Sequence, residues 1–257
     1  MPPNFSLLHL GAFGGVGRRL PSLLPSLLPP STLVDYCAVD LPALPPGDGA
    51  VDPPEGMCYS YVCLGEVAAP APGNPALHPE VVEMVGSVVR DGSLDLILST
   101  AGHWEPGSFA SPEDPLSPEK LAASYSALHA SCVEPAVACL SLAGRFLKPS
   151  GCIVLAGAAA AVPPFAAGGC AGMLSYGLAK RATMNVAELA ATEYPTIIFH
   201  PNTVDTAANR EAMPGADFGE WNDVEMMLGG VVKKVLEGET GAFEVVTEGG
   251  VTKLVKM

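Results

Sequence analysis

Short runs of apolar residues recur along the chain, each closed by a glycine, a proline or an acid, and stretches with helical spacing lie between them. Residues 5–10 form one run, ending at Gly11, and residues 32–39 form another, ending at Asp40. Both have the length and bounds of buried strands. Residues 58–64 read as a third strand, and the apolar run 94–100 as a fourth. Between them, residues 79–90 place Val81, Val82, Val85, Val88 and Val89 at helical spacing. Residues 116–147 predict one long helix, with Ser117 as cap and Pro118 in its first turn, ended by Lys148-Pro-Ser-Gly151. A fifth strand is expected at 152–156, a helix at 174–193, a sixth strand at 196–200 stopped by Pro201, and an edge strand at 243–247.

Strands that alternate with helices predict an α/β fold of the Rossmann type, a doubly wound parallel sheet in three α/β/α layers. A parallel return needs a crossover, and the crossover covers a sheet face. Residues 1–257 are expected to form one domain, with the Pro/Gly-rich stretches 41–56 and 67–75 as its loops. Ligands of this architecture bind at the carboxyl ends of the strands. The first crossover resists the pattern, because it contains Pro21, Pro25, Pro29 and Pro30. A proline inside a helix costs about 3 kcal/mol, so a short, kinked or broken first helix is expected, still carrying an apolar face of leucines at four-residue spacing.

Composition narrows the function classes. The 257 residues are 49% hydrophobic and 16% charged, the make-up of a globular chain with a sizeable core. Thirteen basic against 27 acidic residues leave a net charge of −14, with no basic stripe for nucleic acid. The seven cysteines are odd in number and contain no C-x-x-C pair, a usage that points to a reducing cytoplasm and to no metal ligand set. No secretion signal is expected, and no uninterrupted apolar span of about 20 residues suggests insertion in a membrane.

Chemistry enters at Gly11-Ala-Phe13-Gly14-Gly15-Val16-Gly17, directly after the first strand. Glycines there permit a tight turn whose backbone N–H groups approach a pyrophosphate at the positive end of the following helix. An acid at the end of the second strand would accept hydrogen bonds from a ribose and repel the extra phosphate of NADP, which favours NADH while leaving NADPH open. Asp40 is the choice for that acid and Asp35 the fallback; Asp40 could instead be a turn cap. Thr100-Ala101-Gly102 ends the fourth strand at the same edge, where small residues let the backbone pass beneath a cofactor.

Tyr176 and Lys180 stand one helical turn apart and share a face. A nearby ammonium favours phenolate, which would let the tyrosine relay a proton to a substrate that accepts hydride. The same lysine could hold the cofactor ribose. A bare Y-x-x-x-K is also common as a solvated face.

The glycine motif, Ala101-Gly102 and Tyr176-x-x-x-Lys180 together resemble the short-chain dehydrogenase/reductase superfamily over nearly the whole chain. Within it, Thr100-Ala-Gly-His-Trp104, residues 155–161, Tyr176-Gly-Leu-Ala-Lys180 and especially residues 204–221 are similar to the quinonoid dihydropteridine reductases. That resemblance implies a homodimer that transfers hydride from NADH to a quinonoid dihydropterin, regenerating the tetrahydropterin. It places Ala158 where the superfamily usually has a catalytic serine, an absence suited to an already electron-poor acceptor. It also implies that Trp104 faces the pterin, that Thr206 reaches the nicotinamide carboxamide, and that Asn209, Arg210 and Met213 belong to a segment covering the substrate. Trp104 could instead be ordinary packing and Thr206 a helix cap. The sequence departs from the pattern at the prolines after Gly17, at the loop 163–169 and at Ser131, near where a helix asparagine is often found. A reductase of another small quinonoid or carbonyl compound, and a non-catalytic NAD(H)-binding module, are the alternatives.

Overall fold

The computed structural model describes residues 3–40, 54–66, 75–109, 115–162, 170 and 172–257. Most of the expected loop stretches 41–56 and 67–75, and all of 163–169, lie outside the described residues. Eight strands form one sheet: β1 (Asn4–Leu10), β2 (Leu33–Asp40), β3 (Met57–Cys63), β4 (Leu94–Ser99), β5 (Leu147–Ala156), β6 (Thr196–Pro201), β7 (Gly241–Glu248) and β8 (Val251–Lys256). Their order is β3-β2-β1-β4-β5-β6-β7-β8, parallel throughout except for the last pair. The chain leaves β1 toward β2 and β3 on one side and crosses to β4 on the other. The strand order therefore reverses beside β1, the switch point where open α/β sheets bind ligands.

Alternation along each strand gives two cores, one on each face. On one face Leu8, Leu10, Val39 and Ile97 pack against α2 (Pro79–Gly86), α4 (Glu134–Phe146) and α5 (Leu174–Ala190). On the other, Leu7, Ala38, Leu96 and Leu98 meet α1 (Leu20–Leu27) and α7 (Val224–Leu236). The expected three-layer architecture is the one observed.

The differences from expectation have local causes. The first helix is short, as anticipated: a 3-10 turn (Gly17–Arg19) runs into the eight-residue α1, with Pro21 at its second position, where no N–H is needed. Leu20, Leu24 and Leu28 bury its inner face. The long helix divides into α3 (Pro118–Leu128), a π-turn (His129–Val133) and α4. Pro135 explains the π-turn, since its ring cannot fit against the carbonyl four residues back and the chain widens by one residue to pass it. The span Pro118–Phe146 has the length and mean hydropathy of a membrane-crossing helix, but half of its most apolar window is buried inside the protein. Lys148–Gly151 does not precede β5 but lies within it, as an irregularity between the Leu94↔Leu147 and Leu96↔Cys152 pairs. β7 is not the edge: it turns through Gly249 and Gly250, both at positive φ, into antiparallel β8. The helices α6 (Ala207–Ala212) and α7 have no counterpart in the pattern above.

Candidate active site

A cleft of about 210 Å³ opens at the carboxyl ends of β1, β2 and β4, lined by Gly11, Gly14, Asp40, Thr100, Ala101 and Gly102 among others. The turn is shaped by close approach. Gly11 has φ +79°, and a Cβ there would lie 2.6 Å from the Ala101 nitrogen. Gly102 has φ +126°, with Cys132 Sγ 2.8 Å from where its Cβ would be. Both positions require glycine. Their missing side chains leave the kind of cradle into which a dinucleotide backbone fits. Gly15 turns toward a neighbouring cleft, where its Cβ would meet Thr206 Cγ2 at 3.4 Å. The side chains of Phe13 and Val16 face protein instead. Phe13 stands edge-on to Tyr61, and Val16 packs on the core beneath α1 and α7. Ser131, on the π-turn, also lines the first cleft.

Register separates the two acids. Asp40 ends β2 inside the cleft, and its Oδ2 accepts the Phe13 N–H at 2.7 Å. It caps the glycine turn and lines the cleft at once. Asp35 sits toward the other end of the strand and accepts from Asn4 Nδ2 at 2.9 Å and Ser6 Oγ at 3.2 Å. It is remote from the cleft, and the fallback is discarded.

Tyr176 and Lys180 share the inner face of α5, with the ammonium 5.9 Å from the ring centre. Lys180 Nζ donates to the Ala156 carbonyl at 2.9 Å. The expected lowering of the Tyr176 pKa is not found. Burial pushes the phenol up, and the nearby Cys132 and Cys170 thiols add to this. Burial also pushes the Lys180 ammonium down. Tyr176 is therefore protonated at neutral pH, the state a proton donor requires.

A second cavity of about 220 Å³ lies beside this pair, and the expected Trp104, Ala158, Tyr176, Asn209 and Met213 all line it. Ala158 is 3% exposed. Trp104 Nε1 donates to Asn209 Oδ1 at 2.9 Å, and Asn209 Nδ2 donates to the Val204 carbonyl at 2.8 Å, so one amide ties the indole to the start of α6. The exit of β4 joins the clefts, with Thr100 to His103 in the first and Trp104 in the second. Thr206 caps α6, accepting the Asn209 N–H at 3.2 Å, while lying against Gly15. Arg210 does not line the second cavity: it is paired with Asp205 at 2.5 and 2.7 Å and stacked over Phe218.

Met173, Asn202 and Thr203 also line this cavity and were not anticipated. The run Pro201-Asn-Thr, which closes β6 and leaves it, was the available signal. Asn222 gave none. It is 1% exposed, accepts the Asn202 N–H at 2.7 Å, and donates to Thr247 Oγ1 at 2.9 Å. It thereby pins the cavity wall to β7.

No family model matches the chain. A dihydropteridine reductase from Dictyostelium discoideum is 27% identical over 180 residues, 67% of this chain and 70% of its own length. Among solved structures, a short-chain dehydrogenase/reductase from Serratia marcescens superposes with TM-score 0.64 at 20% identity, over 96% of this chain and 97% of its own. An aldohexose dehydrogenase from Thermoplasma acidophilum gives 0.62 at 15% identity over 93% and 91%. A short-chain type dehydrogenase/reductase from Mycobacterium ulcerans gives 0.64 at 16% over 99% and 94%. The fold is that of the short-chain dehydrogenases/reductases.

Proposed function

We propose that this protein is a nicotinamide-dependent oxidoreductase of the short-chain dehydrogenase/reductase type, and that its substrate is a quinonoid dihydropteridine reduced to the tetrahydro form. The observation that carries this reading is the convergence of Tyr176 with Trp104, Ala158, Asn209 and Met213 on one cavity beside the glycine cleft. Among the described residues lining that cavity, none bears a formal charge at neutral pH. A flat, neutral heterocycle able to form hydrogen bonds suits such walls, with Trp104 as a stacking surface and Asn202, Thr203 and Asn209 as polar partners. The similarity to the Dictyostelium discoideum dihydropteridine reductase supports the same substrate.

The glycine turn fits a dinucleotide diphosphate. Arg18 and Arg19 stand at the start of α1, which has no acid in its first turn; Arg19 lies 4.0 Å from Glu225, and Arg18 adds a cation that a diphosphate at this helix start would meet. Asp40 would hold the adenosine ribose and disfavour a 2′-phosphate, so NADH is proposed over NADPH. The bound cofactor supplies the hydride. Tyr176, kept protonated by burial, donates its proton to the substrate as the hydride arrives and is reprotonated from solvent. Lys180, held on the Ala156 carbonyl, fixes a positive charge beneath the ring and stabilises the phenolate that forms. No serine hydroxyl is available at Ala158 to polarise a ketone, which is why an electron-poor acceptor is preferred to an alcohol or ketone pair.

NADH oxidation by freshly generated quinonoid dihydropterin, repeated with NADPH, tests this reading. Turnover with NADH is the expected result; NADH binding without turnover would leave only a nucleotide-binding module. Homodimerisation is also proposed, since the neighbouring helices α3 and α5 expose Tyr125, Leu178 and Leu189. Sedimentation at twice the 26.3 kDa chain mass is expected.

A further inference from the structure

Beneath the glycine turn lies a chain of polar side chains, two of them buried and the third, Thr100, half-buried at the cleft, that the proposed chemistry does not use. His9 on β1 is fully buried, Tyr36 on β2 is 1% exposed, and Thr100 follows β4. Tyr36 Oη is 2.6 Å from His9 Nδ1, and His9 Nε2 is 2.7 Å from Thr100 Oγ1. Thr100 Oγ1 in turn donates to the Gly11 carbonyl at 3.2 Å.

The direction of the chain follows from its first member. Among the described residues His9 Nδ1 is the one acceptor the buried Tyr36 hydroxyl meets, so the phenol donates there. The imidazole proton then lies on Nε2 and is donated to Thr100 Oγ1. That leaves the Thr100 proton for the Gly11 carbonyl. Every group is satisfied in one orientation, with a neutral imidazole at the centre, and burial favours that neutrality by pushing His9 down to about 3. The Gly11 carbonyl also accepts the Gly14 N–H at 3.3 Å, so the chain ends on the atom around which the turn closes. Gly17 packs over the same place, since a Cβ there would collide with the Gly11 oxygen and lie 2.9 Å from His9 Cε1.

We propose that Tyr36, His9 and Thr100 are positioning residues for the nucleotide-binding turn, acting through this one-way relay of hydrogen bonds onto the Gly11 carbonyl. The inference rests on reading that turn as the nucleotide site. Removing the threonine hydroxyl frees the Gly11 carbonyl and strands the His9 proton. The turn then no longer holds its N–H groups in the geometry a diphosphate requires, while the catalytic pair on α5 is untouched.

Two measurements test it. Fluorescence titration with NADH is expected to show a dissociation constant raised about tenfold in Thr100→Val, the worth of one neutral hydrogen bond. Thr100→Ser, which restores the hydroxyl, is expected to bind within about twofold of wild type. A purely structural role would lower the melting temperature of Thr100→Val without this split in affinity between the two variants. Nitrogen-15 NMR of the wild-type protein is expected to show His9 protonated at Nε2, bare at Nδ1, and neutral down through pH 5. Equal NADH affinity in wild type and Thr100→Val, or a His9 proton on Nδ1, overturns the relay and leaves the nucleotide site standing. A wild-type protein that binds neither NADH nor NADPH overturns both.

Discussion

A buried imidazole lies under each half of the site, and the two are wired differently. His9, beneath the proposed nucleotide cleft, has partners at both ring nitrogens. His200 on β6, beside Gly157 and Lys180 near the proposed substrate cavity, is 1% exposed, and its Nδ1 has no hydrogen-bond partner among the described residues. The Ser175 hydroxyl, next to Tyr176, is likewise buried without a partner among the described residues. Both groups fall on the side of the proposed catalytic pair. The proposed nucleotide side is built from backbone and glycines over a saturated hydrogen-bond chain. The substrate side is built from side chains on long segments and retains unspent hydrogen-bonding capacity, a condition common where a site rearranges around its ligand.

The sharpest test of that division is Tyr176→Phe. Turnover is expected to fall by about 10²- to 10⁴-fold, the usual worth of a positioned proton donor. The NADH dissociation constant should stay within about twofold, and a parallel loss of NADH binding in the titration would show that the halves are not separable.

Acid should act through both imidazoles. Burial holds His9 at about 3 in the folded protein, and burial with the Lys180 charge holds His200 at about 4. The unfolded chain takes up these protons near pH 6.5 and the folded protein does not. Stability is therefore full above pH 6.5 and declines as pH falls toward 4 and then 3, by roughly 3–5 kcal/mol per buried histidine at most. Thermal midpoints measured from pH 8 to pH 4 should drop steadily below about 6.5, and a flat profile would contradict the neutral imidazoles.

Gly11→Ala attacks the proposed nucleotide half. Left-handed backbone strain and the contact with the Ala101 nitrogen are expected to weaken NADH binding about a hundredfold. Calorimetric titration would show it, and retained affinity would mean the turn is softer than its geometry implies. Asp40→Ala should shift the NADH-to-NADPH affinity ratio by about tenfold toward NADPH, as expected from losing one charge near a phosphate. The smallest effect is expected for Trp104→Phe, which keeps an aromatic face but removes the bond to Asn209. The KM for the pterin should rise about threefold, consistent with one neutral hydrogen bond, with NADH affinity unchanged.

What was legible in the sequence followed the same division. The glycine turn, Asp40 and Thr100-Ala-Gly102 are contiguous motifs at strand ends, so a correct reading of strands was enough to bring them together. Tyr176 and Lys180 were legible because helical periodicity fixes their common face. That Arg210 pairs with Asp205 was not legible, because this pairing depends on how the segment after β6 folds back. The π-turn needed Pro135 to be weighed within an otherwise unbroken apolar period. β8 needed the Gly249-Gly250 turn to be read as a hairpin. The Asn222 anchor joins residues 20 and 25 positions apart, and no local pattern reports such a contact.

By itself the sequence determined the layers, the strand ends and the residues with chemistry to offer, because burial periodicity and turn chemistry act over a few residues at a time. It also fixed parity: His9 shares a face with Leu7, Tyr36 with Ala38, and Thr100 with Leu98, all toward the α1 and α7 layer. Only the tertiary structure decided that β1 lies between β2 and β4. That order brings His9 against partners 27 and 91 residues away, and it turns three separately polar positions in an apolar pattern into one directed path ending on the Gly11 carbonyl.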